Sequence, residues 1–468
     1  MPSVPGEFRV DRFEIENGKT LDNFNWGGEV PQSARWQIGS STLNKGLKML
    51  IKIYEQFVVD TDKRSVDQCR ETERIVRDIL DDVQARKTHA VLEYAKRFGD
   101  WTEGEQWMFE RSDLQKAIQR ITPACCELLE RVAGRIELFA RKQLESMTSL
   151  RCEIEAGEAG HDILPIDRVG CYVPGGRYPL PSTALMTIVP AKVAGVSEVV
   201  VASPRPNDLI LAAAGIAGAD RLIGFGGAHA VGSLAFGLPE LTAVDLIVGP
   251  GNRFVSEAKR QVFGIVGIDM LAGPSEVLIV ADDSANPEWI AADLLAQAEH
   301  DTDARAFLTT TSKSLAEKVQ DELERQLSIP GLSVETCRAA LANGAIITCT
   351  DEQQLVDVCN RIAPEHLELH VEAAEEFASQ VKHAGCVFLG EHSAEVFGDY
   401  GAGPNHTLPT AGTARFSAGL NAFTFLRART WLKNQRPVTN GLVADAAALA
   451  ELEGLNAHRR AILLRGDV

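Results

Sequence analysis

The fold is decided by a stretch that reads Val169-Gly-Cys-Tyr-Val173, then Pro174-Gly-Gly176, and continues as an apolar segment from Ser182 to Ala194. The first five residues form a short apolar run of the kind found in buried strands. Proline and glycine favour a turn after it, and the next segment has the length of a helix. A buried strand that leads directly into a helix is typical of the βαβ unit, in which successive strands are parallel.

The same alternation repeats downstream. Further strands are predicted at Glu198–Ala202, Arg221–Phe225, Leu246–Val248, Val277–Ala281, Ala306–Thr309, Ala345–Thr350, His366–His370 and Cys386–Leu389. Helices are predicted between them, at Asp208–Ala217, Ala228–Phe236 and Phe254–Phe263. Such repeats build parallel sheets covered by helices on both faces. Because these strands are too many for one sheet, we predict an α/β fold with two doubly wound, Rossmann-like domains.

The remaining segments complete a four-part division of the chain. Residues 66–168 show helical patterns, with a break at Pro123, and we group them with residues 276–412 as one discontinuous α/β domain. Residues 169–275 form the second domain. Residues 1–65 are poorly patterned and are assigned to an N-terminal extension. Residues 413–468 contain no clear strand and are predicted to form a helical tail.

Composition excludes several classes of function. The chain has 468 residues, 45% of them hydrophobic and 24% charged, and a formal net charge of −18. Such an acidic protein is poorly suited to nucleic acid, which requires a basic surface. No apolar run is long enough to span a membrane, and residues 1–19 lack the apolar core of a signal peptide. The nine cysteines form no CxxC pair, as expected in a reducing compartment. We therefore expect a cytoplasmic enzyme.

Four polar residues between positions 362 and 410 are candidates for catalysis. Glu365 and His366 stand side by side at the head of a predicted strand, where both could carry protons. Asp399 and His406 lie in a stretch rich in glycine and proline, which favours a loop, and both could bind a metal. For any one of them, a salt-bridged surface loop is the simpler interpretation. The four together favour a functional site.

A second polar cluster lies on the helix that begins near Pro287. Gln297 and His300 are three residues apart and share one face of this helix near its C-terminal end. Amide oxygen and imidazole can both bind a divalent metal, although a hydrogen-bonded helix end is the simpler interpretation of the pair alone. Combined with Asp399 and His406, this cysteine-free set suits a catalytic zinc with an open coordination position.

A glycine-rich turn supplies a weaker signal. Gly224-Phe-Gly226-Gly227 follows a strand and precedes a helix, so it could seat a phosphate. It is not a complete GxGxxG motif, and close strand–helix packing explains its glycines about as well.

Taken together, the motifs resemble those of the histidinol dehydrogenase family. They are Gly170-Cys-Tyr-Val-Pro-Gly-Gly176, Pro181-Ser-Thr-Ala-Leu-Met186, Gly249-Pro-Gly-Asn252, Ala272-Gly-Pro-Ser-Glu276, Gln297-Ala-Glu-His300, Pro364-Glu-His366 and Gly398-Asp-Tyr followed by Asn405-His-Thr-Leu-Pro-Thr410. The resemblance extends over roughly residues 70–465 in collinear order, which is far more specific than any single motif.

The resemblance implies an activity, cofactors and a set of site residues. The implied activity is the oxidation of L-histidinol to L-histidine through an aldehyde, with two NAD+ reduced at a zinc site. The implied zinc ligands are Gln297, His300, Asp399 and His458. The implied catalytic pair is Glu365 and His366. The implied substrate contacts are Ser182, Ser275, His406 and Glu453, together with His366 and the zinc ligands. The implied nucleotide contacts are Tyr172, His229 and Asn252.

The resemblance also implies an intertwined homodimer in which the helical tails are exchanged. Leu449, Leu452 and Ala461 give the tail an apolar side that requires a partner. Glu453 and His458 are five residues apart, about 140° around an unbroken helix. They can face one site only if the helix is interrupted, and Gly454 is the predicted break.

The chain departs from the family pattern in three places. His229 stands where the family commonly has glutamine, and residues 1–65 are longer than the usual start. Arg177-Tyr178 and Arg429-Thr-Trp431 are similar to a branch that oxidises polyols, such as sulfopropanediol 3-dehydrogenase, although Pro179-Leu-Pro-Ser-Thr183 is closer to histidinol dehydrogenases. Alternative substrates are therefore another amino alcohol or a sulfonated diol. A catalytically silent binding or regulatory relative is a further alternative, which the intact catalytic residues disfavour.

Overall fold

A computed structural model describes residues 12–15, 19–22, 51–54, 66–175, 179–436 and 438–466. Its strands are β1 (Arg12–Ile15), β2 (Lys19–Asp22), β3 (Lys52–Tyr54), β4 (Met108–Glu110), β5 (Leu150–Ile154), β6 (Gly157–Pro165), β7 (Arg168–Tyr172), β8 (Glu198–Ala202), β9 (Arg221–Ile223), β10 (Leu246–Val248), β11 (Gly267–Ile268), β12 (Glu276–Ala281), β13 (Arg305–Thr310), β14 (Ala345–Thr348), β15 (His366–His370), β16 (Cys386–Leu389) and β17 (Leu426–Asn434). Strands β1 and β2 pair antiparallel in a separate N-terminal unit, Met1–Leu43, and the remaining strands lie in the unit Asn44–Val468.

The helices lie between these strands and in the tail. They are α1 (Val66–Arg86), α2 (Thr88–Phe98), α3 (Arg111–Ile118), α4 (Pro123–Glu145), α5 (Pro181–Ala194), α6 (Asp208–Ala217), α7 (Gly227–Phe236), α8 (Arg253–Val262), α9 (Pro287–Glu299), α10 (Lys313–Leu327), α11 (Val334–Leu341), α12 (Glu352–Ile362), α13 (Ala374–Gln380), α14 (Glu395–Asp399), α15 (Asn440–Leu452) and α16 (Asn456–Leu463). None of those in the described ranges combines the length and the hydropathy needed to cross a bilayer. The eight cysteines with described side chains are free thiols.

The first sheet has the strand order β11-β10-β7-β8-β9-β4. Strand β7 lies inside the sheet, and the following crossovers add β8 and β9 on one side and β10 and β11 on the other, all parallel. Strand β4 pairs antiparallel with β9 at the edge. Separate apolar clusters cover the two faces, so residues of both faces are buried. This arrangement confirms the first doubly wound sheet.

The second sheet has the strand order β16-β15-β12-β13-β14-β3, and its strands are all parallel. The predicted strand bounds in both sheets agree with the structure to within about two residues. Strand β3 was not predicted, because it lies in the poorly patterned segment that the sequence analysis assigned to an extension. Ile51, directly before it, is buried in the core of this sheet. The rest of residues 1–65 lies largely outside the described ranges.

Residues 66–145 pack differently from the grouping predicted from the sequence. Helices α1 and α2 contact α7, α1 also contacts α8, α3 contacts α6, and α4 contacts α5. All of these partners belong to the layers on the first sheet, to which β4 also belongs, whereas the sequence analysis grouped this segment with residues 276–412. Helical periodicity identifies an apolar face but does not specify which surface covers it. The division into domains remains a prediction.

The prediction for the tail was wrong in one respect, because residues 413–468 contain a strand that the sequence analysis did not predict. Strand β17 pairs antiparallel with β6, which also pairs with β5. Most of β17 is exposed and carries arginine and lysine, so it lacks the apolar pattern by which the buried strands were recognised. Helices α15 and α16 confirm the helical part of the tail. They are separated at Gly454, whose φ of 74° ends the first helix as predicted.

Candidate active site

The predicted catalytic residues meet at the amino edge of the second sheet. Strand β15 begins at His366 and lies beside β12, with His366 opposite Val277. Helix α9 follows β12 and leads back to the start of β13, so its last turn, with Gln297 and His300, reaches the same edge. Helix α14 ends there at Asp399. Residues more than one hundred positions apart are therefore brought together by strand pairing and crossover geometry.

His366 is buried and held by two different elements. Its Nδ1 lies 3.2 Å from the backbone carbonyl oxygen of Glu276, which can only accept a hydrogen bond. Nδ1 therefore carries the proton, and Nε2 is left with its lone pair, 3.9 Å from Asp399 Oδ1. Burial lowers the pKa of His366 more than the nearby Asp399 raises it, so the ring is neutral at neutral pH. A neutral imidazole with a free Nε2 can accept a proton.

Asp399 is the centre of a cluster of three histidines. His300 Nε2 lies 3.6 Å from Asp399 Oδ2, and His406 Nδ1 lies 3.1 Å from the Asp399 carbonyl oxygen. Burial opposes ionisation of Asp399, but its hydrogen bond with His300 and the neighbouring His366 and His406 outweigh burial and lower its pKa. Asp399 is therefore a carboxylate, and its hydrogen bond raises the pKa of His300.

The donor set fits a zinc ion. Gln297 lies one turn before His300 and is fully buried, yet neither atom of its side-chain amide has a hydrogen-bond partner in the described parts of the chain. Such a buried amide is costly unless a ligand satisfies it. Two ligands of one tetrahedral zinc stand about 3.3 Å apart, close to the 3.6 Å between His300 Nε2 and Asp399 Oδ2. These three side chains could therefore hold a metal.

The side chain of Glu365 is hydrogen-bonded to the start of β12. The backbone N–H of Glu276 donates to Glu365 Oε2 at 2.9 Å, and the N–H of Ala411 donates to Glu276 Oε1 at the same distance. Burial raises the pKa of Glu365 well above its ordinary value. Burial also raises the pKa of Glu276 to about 7, although Arg305 opposes the shift. Carboxyl groups with pKa values in this range can exchange protons near neutral pH.

The sequence analysis missed three buried acids that surround these residues. They are Glu276, Glu368 and Glu395. Glu395 Oε2 lies 3.3 Å from His366 Nδ1. The backbone N–H of Glu395 donates to Glu368 Oε1 at 2.5 Å. A signal was present in β15, where His366, Glu368 and His370 stand at alternate positions of a strand flanked by apolar strands, and alternate residues share one face.

Four other predicted site residues are not brought to this cluster by contacts within the chain. Ser182 is half-buried in the first turn of α5, and Ser275 is half-buried directly before β12. Glu453 and His458 are exposed on the tail, and no hydrogen bond or ion pair in the described residues joins them to Asp399 or His300. The predicted roles of these four residues remain predictions.

The predicted nucleotide residues lie at the carboxyl edge of the first sheet. Tyr172 ends β7, and its hydroxyl oxygen accepts from the Gly227 N–H at 2.9 Å. Asn252 caps α8 by accepting from Phe254 N–H at 3.0 Å. Gly249, after β10, has φ 113°, and a Cβ here would stand 2.2 Å from the Tyr172 carbonyl oxygen. Only glycine permits this close approach. Ligands of doubly wound sheets bind at this edge.

His229 differs from the other two in that its side chain makes no hydrogen bond to the described residues. Its side chain is 1% exposed, and neither ring nitrogen has a hydrogen-bond partner within the described ranges. The rings of Tyr94, Phe98 and Phe225 surround it, and Nε2 lies 3.8 Å from Asp100 Oδ2. Burial lowers the pKa of His229 to about 3. Its role in nucleotide binding remains a prediction, whereas its packing role is directly visible.

We predict that His229 makes stability depend on pH. The unfolded chain protonates this histidine below its ordinary value of 6.5, whereas the folded chain does so only near 3. The folded state is therefore destabilised as the pH falls from 6.5 toward 3, by about 1.4 kcal/mol per pH unit at most. His229→Gln should remove that part of the slope in urea unfolding between pH 6.5 and 5. The exposed His89 provides the control, since His89→Gln should keep the wild-type slope. An unchanged slope in His229→Gln would contradict a buried neutral ring.

Comparisons with known proteins agree with the motifs. The model of the family described as histidinol dehydrogenase matches residues 62–466. Histidinol dehydrogenases from Pseudomonas putida and Aquifex aeolicus are 43% and 44% identical to the chain, covering 82% and 84% of it and 88% and 92% of their own lengths. The crystal structure of histidinol dehydrogenase from Elizabethkingia anophelis superposes with a TM-score of 0.80 at 31% identity, covering 89% of this chain and 98% of that one. The resemblance is confirmed, and the chain belongs to the histidinol dehydrogenase family.

Proposed function

We propose that this protein oxidises L-histidinol to L-histidine in two successive NAD-dependent steps, through an aldehyde that stays bound, at a zinc site. The observation that carries the proposal is the position of His366. Its Nδ1 faces the Glu276 carbonyl oxygen at 3.2 Å, and its Nε2 faces Asp399, whose other oxygen lies 3.6 Å from His300. A general base is thus adjacent to a set of metal-binding side chains. The cysteine usage supports a cytoplasmic location for the enzyme.

The proposed zinc ligands are Gln297, His300, Asp399 and His458, and the proposed nucleotide contacts are Tyr172, His229 and Asn252. When bound, zinc supplies positive charge that holds and polarises the substrate, and NAD accepts a hydride in each oxidation. The unpartnered amide of Gln297 supports the metal assignment. The position of Tyr172 and Asn252 at the carboxyl edge of the first sheet, where ligands of doubly wound sheets bind, supports the cofactor assignment.

His366 has the geometry required of the base for the alcohol step. Nε2 takes the proton of the substrate hydroxyl, while Nδ1 keeps its own proton on the Glu276 carbonyl oxygen. This second contact fixes the tautomer and the ring orientation. After the transfer the ring is an imidazolium, which the Asp399 carboxylate at 3.9 Å stabilises. The base therefore needs no rearrangement between its two protonation states.

Glu365 is proposed to serve the aldehyde step. An aldehyde must add water before a second hydride can leave, and this addition requires a group that removes a proton from water. Glu365 is 5% exposed, and burial holds its pKa well above the ordinary carboxyl value. A carboxylate with a raised pKa is a stronger base than an exposed one. Ser182, Ser275, His406 and Glu453 are proposed to bind the substrate around this centre.

The proposed assembly is an intertwined homodimer in which His458 and Glu453 enter the partner's site. Three ligands within one chain leave room for a fourth, and the exposed tail carries an unused imidazole. Leu449 and Leu452 are 60% and 84% exposed, so the tail presents an apolar surface that a second copy would cover. Glu453 and His458 lie on either side of the break at Gly454, which allows both to face one site.

An NADH-coupled assay tests the proposed function. The purified chain, loaded with zinc, should reduce about two NAD+ per histidinol and should also oxidise histidinal directly. A parallel screen should include small amino alcohols and sulfonated diols. Activity confined to a sulfonated diol would contradict the proposed substrate and would indicate an enzyme of the polyol-oxidising branch. Zinc binding without NADH production from any of these compounds would identify a silent relative.

The roles of His366 and Glu365 should be distinguishable by comparing two substrates and by measuring the bound metal. We predict that His366→Ala keeps zinc and slows histidinol oxidation by about two to four orders of magnitude, the range for a general base. Glu365→Gln should slow histidinal oxidation more than histidinol oxidation, because only the aldehyde step adds water. His300→Ala should lose both metal and activity. Metal analysis beside both assays decides the assignment, and loss of zinc in His366→Ala would show that the roles are wrongly divided.

Subunit mixing tests whether the metal site is shared. His458→Ala and His300→Ala should each be inactive alone. In a mixed two-fold dimer, one site would carry both defects and the other site none. Random re-pairing of equal amounts should then restore about a quarter of the wild-type activity. If native mass spectrometry shows mixed dimers but no activity returns, His458 does not act in the partner's site.

A further inference from the structure

A second cluster of metal-binding side chains lies beneath the proposed zinc site. Asp293 on α9 and Glu368 and His370 on β15 bring one ligand atom each within 4.8 Å of one another. His370 Nε2 lies 3.3 Å from Glu368 Oε2 and 3.8 Å from Asp293 Oδ2. None of these three residues belongs to the proposed zinc ligands or to the proposed catalytic pair.

The cluster is buried and its polar atoms are unsatisfied. The side chains of Glu368 and His370 are 0% exposed. Both nitrogens of His370 and Oε2 of Glu368 have no hydrogen-bond partner among the described residues. Leaving one buried polar group unpaired costs roughly 1–3 kcal/mol, and two of these atoms, His370 Nε2 and Glu368 Oε2, face each other at 3.3 Å. A ligand between them would satisfy both.

The charge of the surroundings indicates what that ligand is. Asp293 and Glu368 are two carboxyl groups beside a third, Glu395, whose backbone N–H contacts Glu368. Buried carboxylates are tolerated when they are paired with a cation or coordinate a metal.

We infer that Asp293, Glu368 and His370 form a second metal site, which binds a divalent first-row transition cation. Ligand atoms on a common ion stand about 3–4 Å apart, and the two measured separations, 3.3 and 3.8 Å, lie in this range. The imidazole favours Zn²⁺ over Mg²⁺ and Ca²⁺, and the two carboxyl groups also suit Mn²⁺. The side chain of Asp293 is 12% exposed and provides the contact with solvent through which an ion would enter.

An ion here would connect the two elements that carry the catalytic centre. Asp293 stands one turn before Gln297 on α9, and Glu368 and His370 follow His366 on β15. Coordination would cross-link the helix to the strand, and it would fix the positions of Gln297 and His300 relative to His366. The role of the second ion is therefore to position catalytic groups, without contact with substrate.

Metal titration tests this inference, and His300→Ala is the informative background because it disables the proposed zinc site alone. Chelator-stripped protein should be titrated with Zn²⁺ or Mn²⁺ and its bound metal counted by elemental analysis after dialysis. Wild type should bind about two equivalents per chain, His300→Ala about one, and His300→Ala/His370→Gln none. His392→Gln, which removes an exposed histidine, should leave the count of its parent unchanged.

Thermal unfolding provides a second test, which begins with His300→Ala, a variant in which the three residues of the cluster are unchanged. Zn²⁺ should raise the Tm of His300→Ala by several degrees, because an ion that binds only the folded state stabilises it. Glu368→Gln in the same background should abolish this rise while leaving the far-ultraviolet circular dichroism unchanged. If folded His300→Ala binds no metal and its Tm ignores Zn²⁺, the second site does not exist. An equal count in His300→Ala and His300→Ala/His370→Gln would also overturn the inference, since the ion would then lie elsewhere.

Discussion

The pairing of β12 with β15 is the constraint on which the catalytic centre depends. It places His366 opposite Val277, one position from Glu276. The backbone of Glu276 then positions both catalytic candidates. Its carbonyl oxygen faces His366 Nδ1, and its N–H donates to Glu365 Oε2. A slip by one residue would turn every side chain of β15 to the opposite face. The apolar residues Leu367 and Leu369, which are fully buried on the other face, oppose such a slip.

The same register has an electrostatic cost. Glu276, Glu365, Glu368 and Glu395 are all at most 5% exposed and lie around one strand. Burial of a carboxylate is unfavourable by several kcal/mol unless it is paired, and Arg305 reaches Glu276 at only 3.9 Å. The raised pKa values of Glu276, Glu365 and Glu395 are the direct consequence. A region that concentrates acid in this way is unfavourable for stability but well suited to binding cations and moving protons.

The inner strands of both sheets could be predicted from the sequence, because a buried parallel strand is a short apolar run with few alternatives, whereas the edge strands β3, β4 and β11 were not predicted. The weakly patterned elements could not be predicted. Strand β17 is held by pairing with β6 although its side chains face solvent, and β3 is a three-residue edge strand. Within the site, Glu365, His366 and Asp399 stood in recognisable motifs. Glu395 and Asp293 did not, since an isolated acid in a sequence gives no sign of its burial, and Glu368 was indicated only by its alternation with His366 and His370.

The two halves of the site are linked by a buried ion pair. Lys259 on α8 is 2% exposed, and its Nζ donates to the Gly249 carbonyl oxygen at 2.9 Å and also contacts Asp269. Asp269 in turn accepts from the Gly249 N–H at 2.7 Å. The turn at Gly249, where the nucleotide contacts are proposed, is thus fastened to the segment that leads into β12.

This link extends to the catalytic loop. In the segment after Asp269, the N–H of Gly273 donates to the Thr410 hydroxyl, and Asn405 donates to the Met186 carbonyl oxygen on α5 at 2.6 Å. The polar stretch that carries Asp399 and His406 is therefore fixed to elements of both sheets. Removal of one partner from a buried ion pair typically costs 3–5 kcal/mol. Lys259 and Asp269 therefore stabilise the turn at Gly249 and its connection to the segment that leads into β12.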